Sequence, residues 1–84
     1  MICSYDAISG LVAFGCNNDV YVFNYPLKKY ETIIGGVNMH GKVTCLHFHR
    51  LQNTKLILFA GNSANELSLF LFEDTSRQFS LLDS

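Results

Sequence analysis

Three side chains that could bind a metal alternate along one predicted strand. Cys45, His47 and His49 lie at every second position, and residues two apart on a strand share a face. Thiolate and imidazole are ligands that zinc uses, but a zinc site normally also takes ligands from a second segment. The distant candidates are His40, Cys16 and Cys3. We therefore expect a strand whose polar groups face a neighbouring element, with no metal and no cofactor.

The sequence offers little for catalysis. It has no Gly-x-Ser-x-Gly nucleophile elbow. Gly35-Gly36-Val37 lacks the following helix that a phosphate-binding loop requires. The acidic pair Glu73-Asp74 lies in a predicted turn, where solvation is expected. These observations favour a protein that is not an enzyme.

The amino-acid composition limits the classes of binding partner and the cellular location that we expect for the protein. The 84 residues are 49% hydrophobic and 15% charged, so the chain has more apolar surface than a domain this small easily covers. A net charge of −1 argues against direct nucleic-acid binding. Three widely spaced cysteines do not form a disulfide framework, and no apolar run reaches the length of about 18 residues that a membrane helix needs. We expect no membrane contact and a cytoplasmic location, with a nuclear one also open.

The chain alternates short apolar runs with turn residues, which is typical of an all-β fold. Seven strands are predicted, at residues 10–14, 19–24, 30–34, 42–49, 56–60, 66–72 and 77–82. The short connections favour an antiparallel meander. Within the fourth strand we expect Val43 to share a face with Cys45, and the apolar run Leu56–Ala60 to be buried on both faces.

Two segments of the chain resemble each other. Leu11–Gly15 is similar to Ile57–Gly61, 46 residues later, and Val20–Phe23 is similar to Leu67–Phe70, 47 residues later. A period of about 40–50 residues with four strands per unit is typical of propeller blades. We expect an incomplete first blade at 10–35 and a second blade at 42–83, in a partial propeller over 1–84. Because strand-like sequence follows Met1 at once, we expect the first blade to lack its innermost strand.

These units resemble the WD-repeat family. Its Gly-His pair is matched by Met39-His40, and its two Trp-Asp pairs by Phe23-Asn24 and Phe70-Leu71. Val43 and Phe48 take the apolar positions of the inner strand. The chain departs from the pattern in having no tryptophan, and Asn17, Ala60 and Ala64 replace the usual polar partners. The resemblance implies antiparallel four-stranded blades and a non-catalytic scaffold that binds protein subunits and its own remaining blades.

Within that family, the chain is similar to the first repeats of the second subunit of the Elongator complex. The similarity lies in Gly10–Gly15, Val20–Asn24, Pro26–Lys29, His40–Cys45 and Asn65–Asp74. It implies a role in modifying wobble uridines of transfer RNA. Two alternatives stay open, a WD-repeat scaffold of another complex and a small self-associating β-protein. In either scaffold, contacts are expected at the loop around His40 and at the turn residues Asn17, Asn18, Asn62 and Asn65.

Overall fold

A computed structural model describes residues 2–34, 41–76 and 78–83, and it is all-β in these ranges. The eight strands are β1 (Cys3–Asp6), β2 (Leu11–Cys16), β3 (Asp19–Asn24), β4 (Lys29–Ile34), β5 (Val43–Gln52), β6 (Lys55–Asn62), β7 (Leu67–Glu73) and β8 (Gln78–Asp83). They form two four-stranded antiparallel meanders, sheet I in the order β1-β2-β3-β4 and sheet II in the order β5-β6-β7-β8. The all-β class and the antiparallel meander are confirmed.

The first sheet has one more strand than the sequence predicted. Strand β1 pairs with β2, with Cys3 opposite Phe14 and Asp6 opposite Leu11. The expectation that the first unit lacks its innermost strand was therefore wrong. The strand was missed because it is only four residues long, and its sequence Cys-Ser-Tyr-Asp has no regular alternation of apolar and polar residues.

The hairpin turns form where the chain supplies residues that tolerate a left-handed backbone. Asn17 between β2 and β3 has φ +57°, and Asn65 before β7 has φ +62°. Asparagine adopts this conformation at lower cost than most residues. The Asn62 side chain, which is buried, also fixes its turn by accepting hydrogen bonds from the backbone N–H of Ala64 and Glu66, both at 3.0 Å. Asn62 is thus a turn-locking residue, not the exposed contact residue that the sequence suggested.

One face of each sheet contributes to a shared core. The buried apolar residues come from both sheets: Leu11, Ala13, Val20 and Val22 from sheet I, and Val43, Phe48, Leu56, Leu58, Ala60, Phe70 and Phe72 from sheet II. Contacts between the sheets are concentrated where β1 and β2 meet β5. The sheets are therefore packed most closely at their first strands.

Strands β5 and β6 differ from the prediction in which side chains they bury. Val43 faces the core while Cys45 is exposed, because the register shifts between these two residues and a bulge reverses the alternation. Strand β6 buries one face fully and leaves Ile57 and Phe59 on the other face only half-buried. The expectation that Leu56–Ala60 is buried on both faces was wrong.

Candidate interaction faces

Each sheet carries a second apolar face that points away from the shared core. Residues directly opposite each other on paired strands lie on one face, so the strand register defines these surfaces. The outer face of sheet I consists of Cys3, Tyr5, Val12, Phe14, Tyr21, Phe23 and Tyr30. The outer face of sheet II consists of Cys45, His47, His49, Ile57, Phe59, Leu69 and Leu71. Every one of these side chains is half-buried or exposed.

The outer face of sheet I is a continuous aromatic surface. Phe14 stacks on Tyr21 with ring centroids 5.4 Å apart and planes within 9°. Tyr30 meets the edges of Tyr21 and Phe23 at 5.9 and 5.2 Å. Tyr5 and Tyr30 are more than half exposed. Rigid aromatic side chains in such a cluster offer a large contact area at little cost in conformational entropy.

The outer face of sheet II joins aliphatic residues to a polar edge. Cys45, His47 and His49 are exposed on β5, and the His47 ring meets the edge of Phe59 at 6.4 Å. The predicted alternation of these three residues on one face is confirmed. Among residues 2–34, 41–76 and 78–83, no three Cys, His, Asp or Glu side chains lie close enough together to hold a metal ion.

The residues predicted as the repeat signature separate into two groups. Val43, Phe48 and Phe70 are buried in the shared core. Phe23 lies on the outer face of sheet I and is half-buried. His40 lies outside the described residues.

The fifth signature residue present, Asn24, is buried and locks a turn at the end of β3. Its Oδ1 accepts a hydrogen bond from the backbone N–H of Leu27 at 3.0 Å. Its Nδ2 donates to Glu31 Oε1 at 3.2 Å. Asn24, which matches the Asp of a Trp-Asp pair in sequence position, therefore stabilises the turn that follows β3.

An ion pair that the sequence did not reveal joins the two sheets. The Arg50 guanidinium on β5 donates from Nη2 to Asp6 Oδ2 on β1, and from Nη1 to Asp74 Oδ2 at 3.4 Å. The Asp6 carboxylate also accepts from the Ser9 backbone N–H at 2.8 Å and from Ser9 Oγ at 2.6 Å. The partners lie 44 residues apart, so no local pattern predicts them. The only sequence signal is that Arg50 is the one Lys, Arg, Asp or Glu residue in β5.

The electrostatics of this pair follow from its burial. Burial alone would raise the pKa of Asp6, but hydrogen bonds from Arg50 and Ser9, together with the positive charge of Arg50, outweigh it and hold the pKa below its usual value. For Arg50, burial lowers the pKa, but the hydrogen bond and charge of Asp6 outweigh it, and Asp74 adds to this, so the pKa is raised further. Both groups are charged at neutral pH, and the pair fixes β1 against β5.

Two backbone contacts set the same interface. Phe48 N–H donates to Ser4 Oγ at 3.1 Å, and Val43 N–H donates to the Asn17 carbonyl at 2.8 Å. A Cβ placed on Gly15 would lie 2.9 Å from Val43 Cβ, so the glycine allows close approach of β5 to β2.

Comparison with known proteins gives no relative. No family model, no curated protein and no solved structure matches the chain. The part of the chain that the structure describes contains no helix long and apolar enough to cross a membrane.

Proposed function

We propose that this chain forms two successive blades of a WD-repeat β-propeller and acts as a non-catalytic scaffold that binds other proteins. The observation that carries the proposal is the register of the internal repeat. Ala13 pairs with Val22 in sheet I, and Phe59 pairs with Leu69 in sheet II. These are the positions that the offsets of 46 and 47 residues make equivalent. Strands β2 and β3 therefore pair in the same register as β6 and β7, which supports two copies of one unit.

Equivalent residues of the two sheets lie on opposite faces, one turned toward the shared core and the other away from it. Leu11 and Ala13 lie on the inner face of sheet I, and their equivalents Ile57 and Phe59 lie on the outer face of sheet II. Conversely, Phe70 is buried on the inner face of sheet II, whereas its equivalent Phe23 is on the outer face of sheet I. The face of sheet I that carries Leu11 and Ala13 thus packs on the face of sheet II that carries Phe70, and these two faces are not equivalent in the repeat. The same packing can be continued at both ends, which supports blades in a series.

The proposed scaffold role is supported by the apolar outer faces and by the exposed turns. Apolar faces on both ends of the pair favour packing against further sheets, and the exposed turns, such as Asn17-Asn18, remain for protein partners. The resemblance to the second Elongator subunit makes the other subunits of that complex the expected partners, with a role in wobble-uridine modification of transfer RNA. A scaffold of a different complex is the alternative.

The test is affinity purification of the tagged natural protein that carries this chain, with mass spectrometry of the proteins recovered. We expect the other Elongator subunits in stoichiometric amounts. The matched control is Phe72→Asp, which places a charge in the fully buried core and should recover background proteins only. Recovery of a different stable set of proteins would reject Elongator and retain a scaffold. Recovery of no partner beyond the control would reject the scaffold role.

A further inference from the structure

We propose that the outer face of sheet I binds the outer face of sheet II of a second copy of this chain, so that copies assemble head to tail. The inference rests on the repeat stacking of the proposed function and adds the occupant of both outer faces. It continues an interface that exists within the chain, in which the inner face of sheet I already packs on the non-equivalent face of sheet II.

The register defines how two copies would align. In the internal interface, Ser4 on β1 contacts Phe48 on β5, and Asp6 contacts Arg50, so that both contacts join residues 44 apart. Strands β1 and β5 therefore run in the same direction side by side. Two residues earlier on each strand, the same alignment places Ile2 beside Leu46.

On the outer faces, cysteines occupy the positions equivalent to Ile2 and Leu46. Gly15 N–H donates to the Ile2 carbonyl, and Gly61, the equivalent of Gly15, is paired with Cys45, so Cys45 takes the place of Ile2 in sheet II. Cys3 pairs with Phe14 just as Leu46 pairs with Ala60, the equivalent of Phe14. Cys3 of one copy therefore lies beside Cys45 of the next.

The contact between copies differs from the internal one in its charges. Asp6 is opposite Leu11 and His49 is opposite Ile57, so His49 takes the place of Asp6. Arg50, the residue that pairs with Asp6, has Ala7 as its equivalent, one position beyond β1. The contact between copies thus has no ion pair at this point and depends on apolar burial. Such head-to-tail contacts close into rings or continue as filaments. Closed rings would contain about two to four copies, because propellers have roughly four to eight blades.

Native cysteines supply the test, because Cys3 and Cys45 are both exposed in the single chain. In a Cys16→Ser background, one variant carries Cys3→Ser and the other Cys45→Ser, so each retains a single thiol. The two are mixed at about 10 µM and treated with a short bis-maleimide that alkylates one thiol at each end. We expect a cross-linked dimer in the mixture and none in either variant alone. It should form about a hundredfold faster than by random collision, because groups held within a complex have effective concentrations near mM.

The matched control is Cys3→Ser/Cys45→Ser, which retains only the exposed Cys16 and reports random collision. Dimers in either single-thiol variant alone would show like faces pairing and would overturn the head-to-tail contact. Cross-linking no faster than the Cys16 control would show that copies do not pair through these faces, and would also overturn it. This experiment is independent of affinity purification, so either proposal can fail while the other stands.

Discussion

At the scale of single residues, the contact between sheets depends on Arg50. Its guanidinium contacts carboxylates on β1 and after β7, and the Asp6 side chain is only 9% exposed. Removing Arg50 would leave a buried carboxylate with Ser9 as its remaining partner. The cost of leaving a buried charged group without its partner exceeds the net value of an exposed ion pair.

We predict that Arg50→Met lowers the free energy of unfolding by about 1–3 kcal/mol, because Met restores the apolar stem but not the hydrogen bonds. Urea denaturation of wild type, Arg50→Met, Asp6→Asn and the double variant measures the coupling. The double variant should be less destabilised than the sum of the two single changes. Strict additivity would show that the two side chains do not act as a pair.

The depressed pKa of Asp6 gives the contribution of this pair a defined pH dependence. Its carboxylate binds protons more weakly in the folded than in the unfolded chain. The stabilisation is therefore fully present above about pH 4, near the unfolded pKa, and is lost as the pH falls toward the folded pKa. We predict that the stability difference between wild type and Asp6→Asn is constant from pH 6 to about pH 4 and shrinks between about pH 4 and 2, as measured by urea denaturation. A difference that stays constant with pH would contradict this assignment.

At the scale of strands, close approach of β5 to sheet I depends on the missing side chain at Gly15. The Cβ of an alanine there would lie 2.9 Å from both Cβ and Cγ1 of Val43, closer than real Cβ contacts allow. We predict that Gly15→Ala destabilises the chain by about 1–3 kcal/mol through overpacking. Thermal or urea unfolding checks this.

The matched background for that substitution is Val43→Gly, which removes both Cβ and Cγ1 that the new Cβ would meet. In that background Gly15→Ala should cost little. An equal cost in both backgrounds would show that the strain arises within β2 itself and not between the sheets.

The strands show what the sequence could predict and why the rest was hidden. Apolar alternation and asparagine turns located seven strands, since both signals are local. Strand β1 was missed because its partner, not its composition, makes it a strand. The position of Val43 was misassigned because a bulge reverses the alternation, and no residue type marks that bulge. The Asp6–Arg50 pair was hidden because it joins segments 44 residues apart.

At the scale of the whole molecule, the two sheets share one strand order but have unequal environments. Their inner faces cover each other, and their outer faces leave aromatic and aliphatic side chains half-exposed. The internal repeat was visible in the sequence, and the structure adds that the repeat keeps its strand register. Which face packs on which could not be read from the sequence, because both faces of each sheet are apolar.

The measurement that tests the account most directly is the mass in solution of chains whose outer faces are blocked one at a time. Tyr21→Glu places a charge on the outer face of sheet I, and Leu69→Glu does so on sheet II. Because both substitutions carry the same charge, the blocked faces cannot pair with each other. Leu27→Glu, at a turn residue that is 57% exposed, is the matched control for adding a charge.

Analytical ultracentrifugation of each variant and of an equal mixture gives the answer, with circular dichroism to verify folding. We expect wild type and Leu27→Glu to form oligomers, each blocked variant to be monomeric, and the mixture of the two to form a one-to-one dimer through the remaining open faces. A mixture that stays monomeric, or a blocked variant that dimerises alone, would contradict the stacking of one sheet's outer face on the other's.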